Sequence, residues 1–556
     1  MGHPAYPLTR RAWLARSTLA VGAGGALLLQ SPCRASPVDV ALPSRLDPRR
    51  EAGRAEPGHG GPGEAAFAPT RESHAFNVTL DARASGTPVN RRVLGSNVGW
   101  VYGGDNMVTA DGAFAPAMLA MARRLGPTVL RYPGGTFSDL FHWDAPINEH
   151  VFSRERHRTL MDTQRFLELC EAVGAQPLIT VNIMTGTADE AARWVAATNV
   201  ARMTSRITGS RLPRVVYWEL GNEPYLKEAS RTDVDLLPPE FARRVNLFIR
   251  AMRAVDPDIV LGLPLTTDQR AGLPVTPYPG FTRTVLGIVT ERFDYVCLHN
   301  AYMPFGTQRG MSPSELYWGA AAGALTVKRD FGVMRQLLAE LRPKQKLPLA
   351  VTEYSALFSL GRGPSDQWTS APAGAVFLAD VLRVFAETPD FLMANHWSLS
   401  ANGLFGAIHA GAYPRPAFQV LQLMREALQG QRIPAIVQAE TVRVARIGQV
   451  EAVDAMPLVE VLATRVDADS GRPALRMLVI NKDPRRAALG QFNVGPLRTA
   501  QARMSLLSAA NVFDASDRPD MLVRSESLLD GPANQKLGAH LPPHSVALIT
   551  VDLPIS

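Results

Sequence analysis

Two short segments place an acid directly after a run of strand character: Tyr217-Trp-Glu-Leu-Gly-Asn-Glu223-Pro and Val351-Thr-Glu353-Tyr. Glu223 and Glu353 stand 130 residues apart (353 − 223), so only a fold brings them together. Two carboxylates on two strand ends of one barrel are the parts that hydrolysis of a glycosidic bond requires. One protonates the leaving oxygen; the other attacks the anomeric carbon or activates a water that does. Glu219, four residues before Glu223, has the same strand parity. It is expected lower in the barrel, paired with a cation such as an arginine.

Eight runs rich in apolar, β-branched and aromatic residues predict strands: Val93–Asn97, Thr128–Tyr132, Pro177–Val181, Val215–Leu220, Ile259–Leu263, Tyr295–His299, Leu349–Glu353 and Leu392–Trp397. Helical patterns lie between them, among them Ala115–Leu125, Thr163–Val173, Pro239–Val255 and Phe331–Leu341. This alternation predicts an α/β fold, a (β/α)8 TIM barrel over residues 93–425. A doubly wound open sheet is disfavoured, because no glycine-rich phosphate loop follows the first strand. Beyond residue 425 the long helical patterns stop. Thr441–Ala445, Val459–Ala463, Leu475–Ile480 and Ala547–Val551 read as short strands of a C-terminal β-sandwich over 426–556. Residues 74–92 carry the alternating run Phe76–Leu80, expected to join that sandwich.

In a (β/α)8 barrel the reacting groups sit at the C-terminal ends of the strands. Here the second strand ends in Arg131-Tyr-Pro-Gly-Gly135, the third runs into Asn182, and the fourth ends in Asn222-Glu223. The sixth ends in His299-Asn300, the seventh in Glu353-Tyr354 and the eighth in His396-Trp397. A guanidinium such as Arg131 beside a nucleophilic carboxylate holds it ionised and oriented. Asn222 suits a sugar hydroxyl, and Trp397 could form a floor under the C–H face of a sugar ring. No His-x-x-x-His or clustered Cys/His spacing is present, and this chemistry requires no metal or cofactor. No Gly-x-Ser-x-Gly elbow suggests a serine hydrolase.

The start of the chain reads as a targeting segment. Arg10-Arg11 precede an Ala/Gly/Leu-rich stretch ending near Leu29, as in a twin-arginine-type signal over residues 1–36. That stretch is too short and glycine-rich for a membrane span. Periplasmic or secreted localisation is the expectation. Residues 37–73 are rich in Pro, Gly, Arg and Glu, with too little apolar surface to offset ordering entropy, and read as a disordered linker. The net charge of +7 is spread without a Lys/Arg block, so a nucleic-acid partner is not expected. Outside the leader only Cys170 and Cys297 remain, both in apolar patterns, and no disulfide framework is implied. Oligomeric state has no signal in the sequence.

Trp218-Glu-Leu-Gly-Asn-Glu223-Pro, with Glu353 closing a later strand, resembles clan A of the retaining glycoside hydrolases. Leu130-Arg-Tyr-Pro-Gly-Gly135 followed by Trp143, and Asp294-Tyr-Val-Cys-Leu-His299-Asn, are similar to the α-L-arabinofuranosidases of family 51. The ending Leu541-Pro-Pro-His-Ser-Val-Ala-Leu548 resembles the last strand of that family's sandwich. Asn-Glu-Pro and the sandwich are also similar to the β-xylosidases of family 39 and the glucuronidase/heparanase group of family 79. The resemblance covers residues 74–556 and implies Glu223 as acid/base and Glu353 as nucleophile of a double displacement. It further implies that Arg131, Asn222, His299 and Tyr302 support the nucleophile and bind sugar.

Three positions depart from the arabinofuranosidase pattern. Gly95-Ser-Asn97-Val-Gly-Trp100 lacks the acid that follows the first strand, Thr136 stands for an Asn, and Ala301 for a Tyr, with Tyr302 one place on. The expectation is an exported retaining glycosidase, arabinofuranosidase-like, acting on polysaccharide or oligosaccharide. A β-xylosidase, a glucuronic-acid-directed or endo-acting enzyme, and a non-catalytic carbohydrate-binding protein stay open.

Overall fold

The computed structural model describes residues 67–226, 236–267, 278–305, 311–359, 364–401, 403–467, 473–495, 501–529 and 536–553. The expected leader, and the linker up to residue 66, lie outside the described residues.

Eight parallel strands form the barrel: β1 (Gly95–Asn97), β2 (Val129–Tyr132), β3 (Gln176–Thr180), β4 (Tyr217–Glu219), β5 (Val260–Pro264), β6 (Tyr295–Leu298), β7 (Leu349–Leu357) and β8 (Phe391–His396). Pairing of β6 with β7 (Cys297 opposite Ala350) and of β8 with β1 (His396 opposite Ser96) closes the ring. Closure leaves no edge to protect and buries every strand on both faces, which is why the strands read as near-continuous apolar runs. Each predicted strand is found. Val93 and Leu94 are the exception in detail: they lie in a 3-10 turn, Arg91–Leu94, where the Asn90 side chain accepts from the Arg92 N–H.

A helix follows each strand: α1 (Pro116–Leu125), α2 (Thr163–Val173), α3 (Ala188–Val195), α4 (Pro238–Val255), α5 (Phe281–Ile288), α6 (Pro313–Leu341), α7 (Ala375–Glu387) and α8 (Pro416–Ala427). Their limits follow from local chemistry. Asp162 caps the start of α2 by accepting from the Arg165 N–H at 2.8 Å, and Gly174, at φ +74°, ends it. Ser312 and Glu315 form a capping box on α6 with Pro313 in its first turn.

The sequence pattern predicts only the last part of α6, from Phe331. Its first half is buried on most sides, so no polar stripe marks it. Two small residues bring that half close to an extra strand, Ala301–Pro304: a Cβ on Gly319 would meet Pro304 Cβ at 2.7 Å, and one on Gly323 would meet Met303 Cβ at 2.7 Å. The extra strand runs parallel to the upper half of β7, with Ala301 opposite Tyr354.

Two further sheets form the second unit. One is four-stranded, in the order Ala435–Ala439, Ser73–Leu80, Ala487–Asn493, Lys536–Leu541. The other is seven-stranded and contains Val459–Val466, Ala474–Asn481 and Ser545–Asp552. Phe76, Val78, Val459, Leu475, Leu541 and Ile549 share a core between them, separate from the main barrel core. One strand departs from the expectation: Thr441–Val444 pairs only with Val453–Pro457 in a two-stranded ribbon, outside both sheets. Its side chains alternate between exposed and buried or partly buried, so the local pattern is a strand's although its partner is a hairpin arm.

The two units share a buried ionic contact. Lys482, directly after the strand Ala474–Asn481, reaches Asp380 of α7 at 2.5 Å, and Arg383 of α7 reaches Glu460 at 3.3 Å. Cys170 and Cys297 are both free thiols, and both are buried. Among the described residues no helix is long and apolar enough to cross a membrane.

Candidate active site

Arg131 organises the C-terminal mouth of the barrel. It extends from β2 into the barrel and is fully buried. One guanidinium N–H, Nε, bonds Glu219 Oε2 on β4. Nη1 donates to Asn97 Oδ1 on β1 at 3.0 Å and to Glu353 Oε1 on β7 at 2.8 Å. Nη2 donates to Asn222 Oδ1 at 2.9 Å. A planar fork with five donors is suited to tie four side chains from three strands and a loop in one plane of contacts.

Glu219 lies where the sequence expects it, low in the barrel and ion-paired to an arginine. Thr180 Oγ1 donates to its Oε2 at 2.8 Å, and Thr352 Oγ1 to its Oε1 at 2.6 Å. Burial alone would raise the Glu219 carboxyl. The Arg131 charge, together with the nearby His299 and the Thr352 hydrogen bond, outweighs burial and holds it far below the usual carboxylate range.

Glu353 has a donor on each oxygen: Arg131 on Oε1, and the Tyr302 hydroxyl on Oε2 at 2.8 Å. Thr352 and Glu353 are consecutive yet both reach the Arg131–Glu219 cluster. A regular strand sends neighbours to opposite faces. The pairing of β7 with β8 slips between Val351 and Tyr354, and this irregularity re-aims the pair.

Glu223 hangs from the turn that follows β4. Gly221 starts the turn at φ +89°, and a Cβ there would collide with the Ile183 side chain. Glu223 itself is left-handed at φ +44°, a conformation that costs a non-glycine residue free energy and persists where its surroundings fix it. His299 Nδ1 lies 3.1 Å from Glu223 Oε1, and the Tyr225 hydroxyl donates to the same oxygen at 3.4 Å. Oε2 is buried with no hydrogen-bond partner among the described residues. One carboxylate oxygen each of Glu223 and Glu353, together with a ring nitrogen of His299, lie within 4.8 Å of one another.

Burial pushes the Glu223 carboxyl up. The His299 hydrogen bond and charge oppose this, and the charge of Glu353 adds to the rise. Burial works against protonation of His299, but the Glu353 charge and the nearby carboxylates of Glu219 and Glu223 bring its pKa up to about 9. Near neutral pH His299 is therefore an imidazolium. Its Nε2 donates to Thr352 Oγ1 at 2.9 Å, and Thr352 passes its own proton towards Glu219. The spacing of the Glu223, His299 and Glu353 donors would suit a metal ion. Arg131 and Tyr302, however, already supply protons to both oxygens of Glu353.

The other predicted positions divide. Asn222, His299 and Tyr302 join the cluster through the contacts above. Asn182 serves the loops: its Nδ2 donates to the Phe141 carbonyl at 3.2 Å and to Thr185 Oγ1 at 2.9 Å, and its Oδ1 accepts from the Thr185 N–H at 2.9 Å. Trp397, at the end of β8, covers the double-glycine turn after β2. A Cβ on Gly135 would meet Trp397 Cη2 at 2.6 Å, so that turn must be bare for the ring to lie on it. Thr180, Thr352 and Asp139 are site residues that the sequence alone does not single out. The two threonines sit within strands, where Thr is an ordinary residue, and Asp139 lies in an irregular turn.

Known proteins similar to the chain include arabinofuranosidases and another glycoside hydrolase. α-L-Arabinofuranosidase C of Emericella nidulans is 31% identical over 180 residues, 29% of this chain and 34% of that relative. The chain thus spans about a third of the length of the curated relatives it matches. The structure of the thermostable GH51 α-L-arabinofuranosidase from Thermotoga petrophila RKU-1 superposes with a TM-score of 0.70 at 20% identity, covering 86% of this chain and 100% of that one. The chain resembles the α-L-arabinofuranosidases in sequence, and those of family 51 in fold. A Paenibacillus polymyxa xyloglucanase of glycoside hydrolase family 44 shares the architecture more distantly, with a TM-score of 0.59 at 13% identity over 87% of this chain and 100% of that one. No protein-family model matches the chain.

Proposed function

We propose that the chain is an exported glycoside hydrolase that cleaves its substrate by double displacement with retention, with α-L-arabinofuranosides as the leading substrate class. The separation of the two acids carries the reading. One oxygen of each carboxylate lies within 4.8 Å of the other, which favours direct attack by one acid over a water held between the two. Retaining enzymes hold the two groups about 5–5.5 Å apart, against about 6.5–9.5 Å for inverting ones.

In the first step a Glu353 oxygen attacks the anomeric carbon, whose bond to the leaving oxygen breaks as Glu223 gives that oxygen its proton. In the second step Glu223 takes a proton from water, the water oxygen attacks the same carbon, and Glu353 departs as a carboxylate. The contacts fit these roles. Arg131 and Tyr302 fix both oxygens of Glu353. Glu223 is buried, its pKa is raised, and its Oε2 is free to carry a proton.

A panel of nitrophenyl glycosides tests the reading: α-L-arabinofuranoside, β-D-xyloside, β-D-glucuronide and β-D-glucoside, assayed in exported and intracellular fractions of the producing cells. Cleavage of the arabinofuranoside, concentrated in the exported fraction, is expected. Cleavage of another member moves the substrate class. Activity confined to the cell interior removes export, and no cleavage of any glycoside or polysaccharide leaves a carbohydrate-binding protein.

Glu223→Ala should lose rate most with poor leaving groups, by roughly a hundredfold or more, and least with dinitrophenyl glycosides, which need no proton. Equal losses would remove Glu223 as the acid. The pH profile carries a signed companion. The hydrogen bond and charge of His299 lower the Glu223 pKa, so His299→Phe should raise it and move the alkaline limb of kcat/KM to higher pH. A limb that stays in place or moves down would show that Glu223 does not set it.

A further inference from the structure

A third acid is buried at the mouth of the barrel. The turn after β2, Gly135–Leu140, carries Asp139, which is 2% exposed. Its side chain has no hydrogen-bond partner among the described residues, and Oδ1 is shut off from solvent. Burial pushes its carboxyl well above the usual range, and the charges of Glu223 and Glu353 push it further, which places it within electrostatic reach of both. Arg131 acts on it from the same cluster, in the opposite sense.

The fold does not use this carboxyl. The turn is held through its main chain: Thr185 Oγ1 donates to the Asp139 carbonyl at 2.7 Å, and Ser138 Oγ to the Gly135 carbonyl at 2.9 Å. Asn182 fixes Thr185 and the Phe141 carbonyl from the end of β3. A buried polar group without a partner costs stability, and native structures keep very few of them. Here the free group sits on a braced turn that directly follows the strand of Arg131, where the charges of both acids act on it.

We propose that Asp139 recognises substrate: its carboxyl hydrogen-bonds a hydroxyl of the sugar residue held between Glu223 and Glu353. The ligand is thus a sugar residue with a free hydroxyl on the side of the β2 turn. A carboxyl accepts from the hydrogen of that hydroxyl, and when protonated also donates to its oxygen. This rests on the hydrolase reading above and adds a residue to its specificity. It also gives the mouth of the barrel an acid where none follows β1.

Two readouts of opposite sign test it. In Asp139→Ala, kcat/KM on the aryl glycoside that the parent cleaves fastest should fall roughly ten- to a hundredfold, the scale of a lost hydrogen bond to a polar partner. The melting temperature should rise, because a desolvated, unpaired group is gone. Asp139→Asn, which keeps a donor and an acceptor, should stay within a few-fold of the parent. Among monodeoxy derivatives of the glycoside, one should lose rate against the parent yet show no further loss against Asp139→Ala. A lower melting temperature in both variants, with equal rate losses on every derivative, would make Asp139 a structural residue and overturn the proposal. An Asp139→Ala enzyme as fast as the parent would overturn it and leave the hydrolase reading standing. A parent that cleaves no glycoside would end both.

Discussion

Glu353→Gln should lower turnover by roughly three to six orders of magnitude while the protein stays folded, the scale seen when a nucleophile is removed from an intact site. The substitution changes one atom. The amide oxygen can still accept from Arg131 Nη1, which lies 2.8 Å from Oε1. The amide nitrogen takes the place of Oε2, and the Tyr302 hydroxyl, now 2.8 Å away as a donor, can rotate to accept from it. Arg131 keeps its charge partner in Glu219, so no buried cation is stranded. What is lost is an anion able to bond to the anomeric carbon. Sugar binding should survive, which separates this outcome from a collapsed site. The check is turnover on the preferred aryl glycoside alongside a melting curve and a sugar titration. Turnover within tenfold of the parent would remove Glu353 as nucleophile and leave the two-step mechanism without its first step.

The barrel was legible because each of its strands is buried on both faces and therefore spelled mostly in apolar residues, with many of the polar ones where the strand meets the mouth. Arg131, Glu223, His299 and Glu353 stand out for that reason: each interrupts or ends an apolar run. Helix α2 was equally plain, since its buried face recurs at the helical period and Asp162 and Gly174 mark its ends. The first half of α6 was not. Packed on the Ala301–Pro304 strand through Gly319 and Gly323, it shows no amphipathic stripe. The extra strand itself is only four residues long and follows β6 almost without a break. Tyr302 could be placed near Glu353 only by resemblance.

Backbone irregularities hid the rest of the site. Alternation alone would send Thr352 and Glu353 to opposite faces, and only the slip in β7 brings both to Arg131 and Glu219. Nothing in residue types announces such a slip. Asp139 sits in a short 3-10 turn, where an aspartate is an ordinary surface choice; the turn is tied through its main chain to the loop after β3 by Thr185, which Asn182 holds. Asn182 was legible as a strand-end polar residue, but its side chain is used to hold that loop.

Arg131→Leu should be the most destabilising single change at the site, by about 3–5 kcal/mol, because breaking a buried ion pair leaves an uncompensated charge. Here two are left, on Glu219 and Glu353, both fully buried. Leucine fills part of the volume but offers no donor, so Asn97 and Asn222 each lose a partner as well. The pH profile of stability should change with it. In the parent the Glu219 pKa is depressed, so its contribution is present above the unfolded carboxyl pKa and is lost as pH falls through the folded one. Arg131 is the largest of the influences that depress it, so without Arg131 this contribution shrinks and acid costs the variant less than it costs the parent. A second substitution separates charge from packing. Adding Glu219→Leu to Arg131→Leu should restore part of the lost stability, since one stranded carboxylate is removed, yet restore no activity, since Glu353 still lacks its guanidinium. Thermal denaturation of both variants across pH, with activity on the preferred glycoside, is the measurement. An Arg131→Leu protein as stable as the parent, with an unchanged pH profile, would mean that the four side chains around Arg131 hold the mouth of the barrel without it.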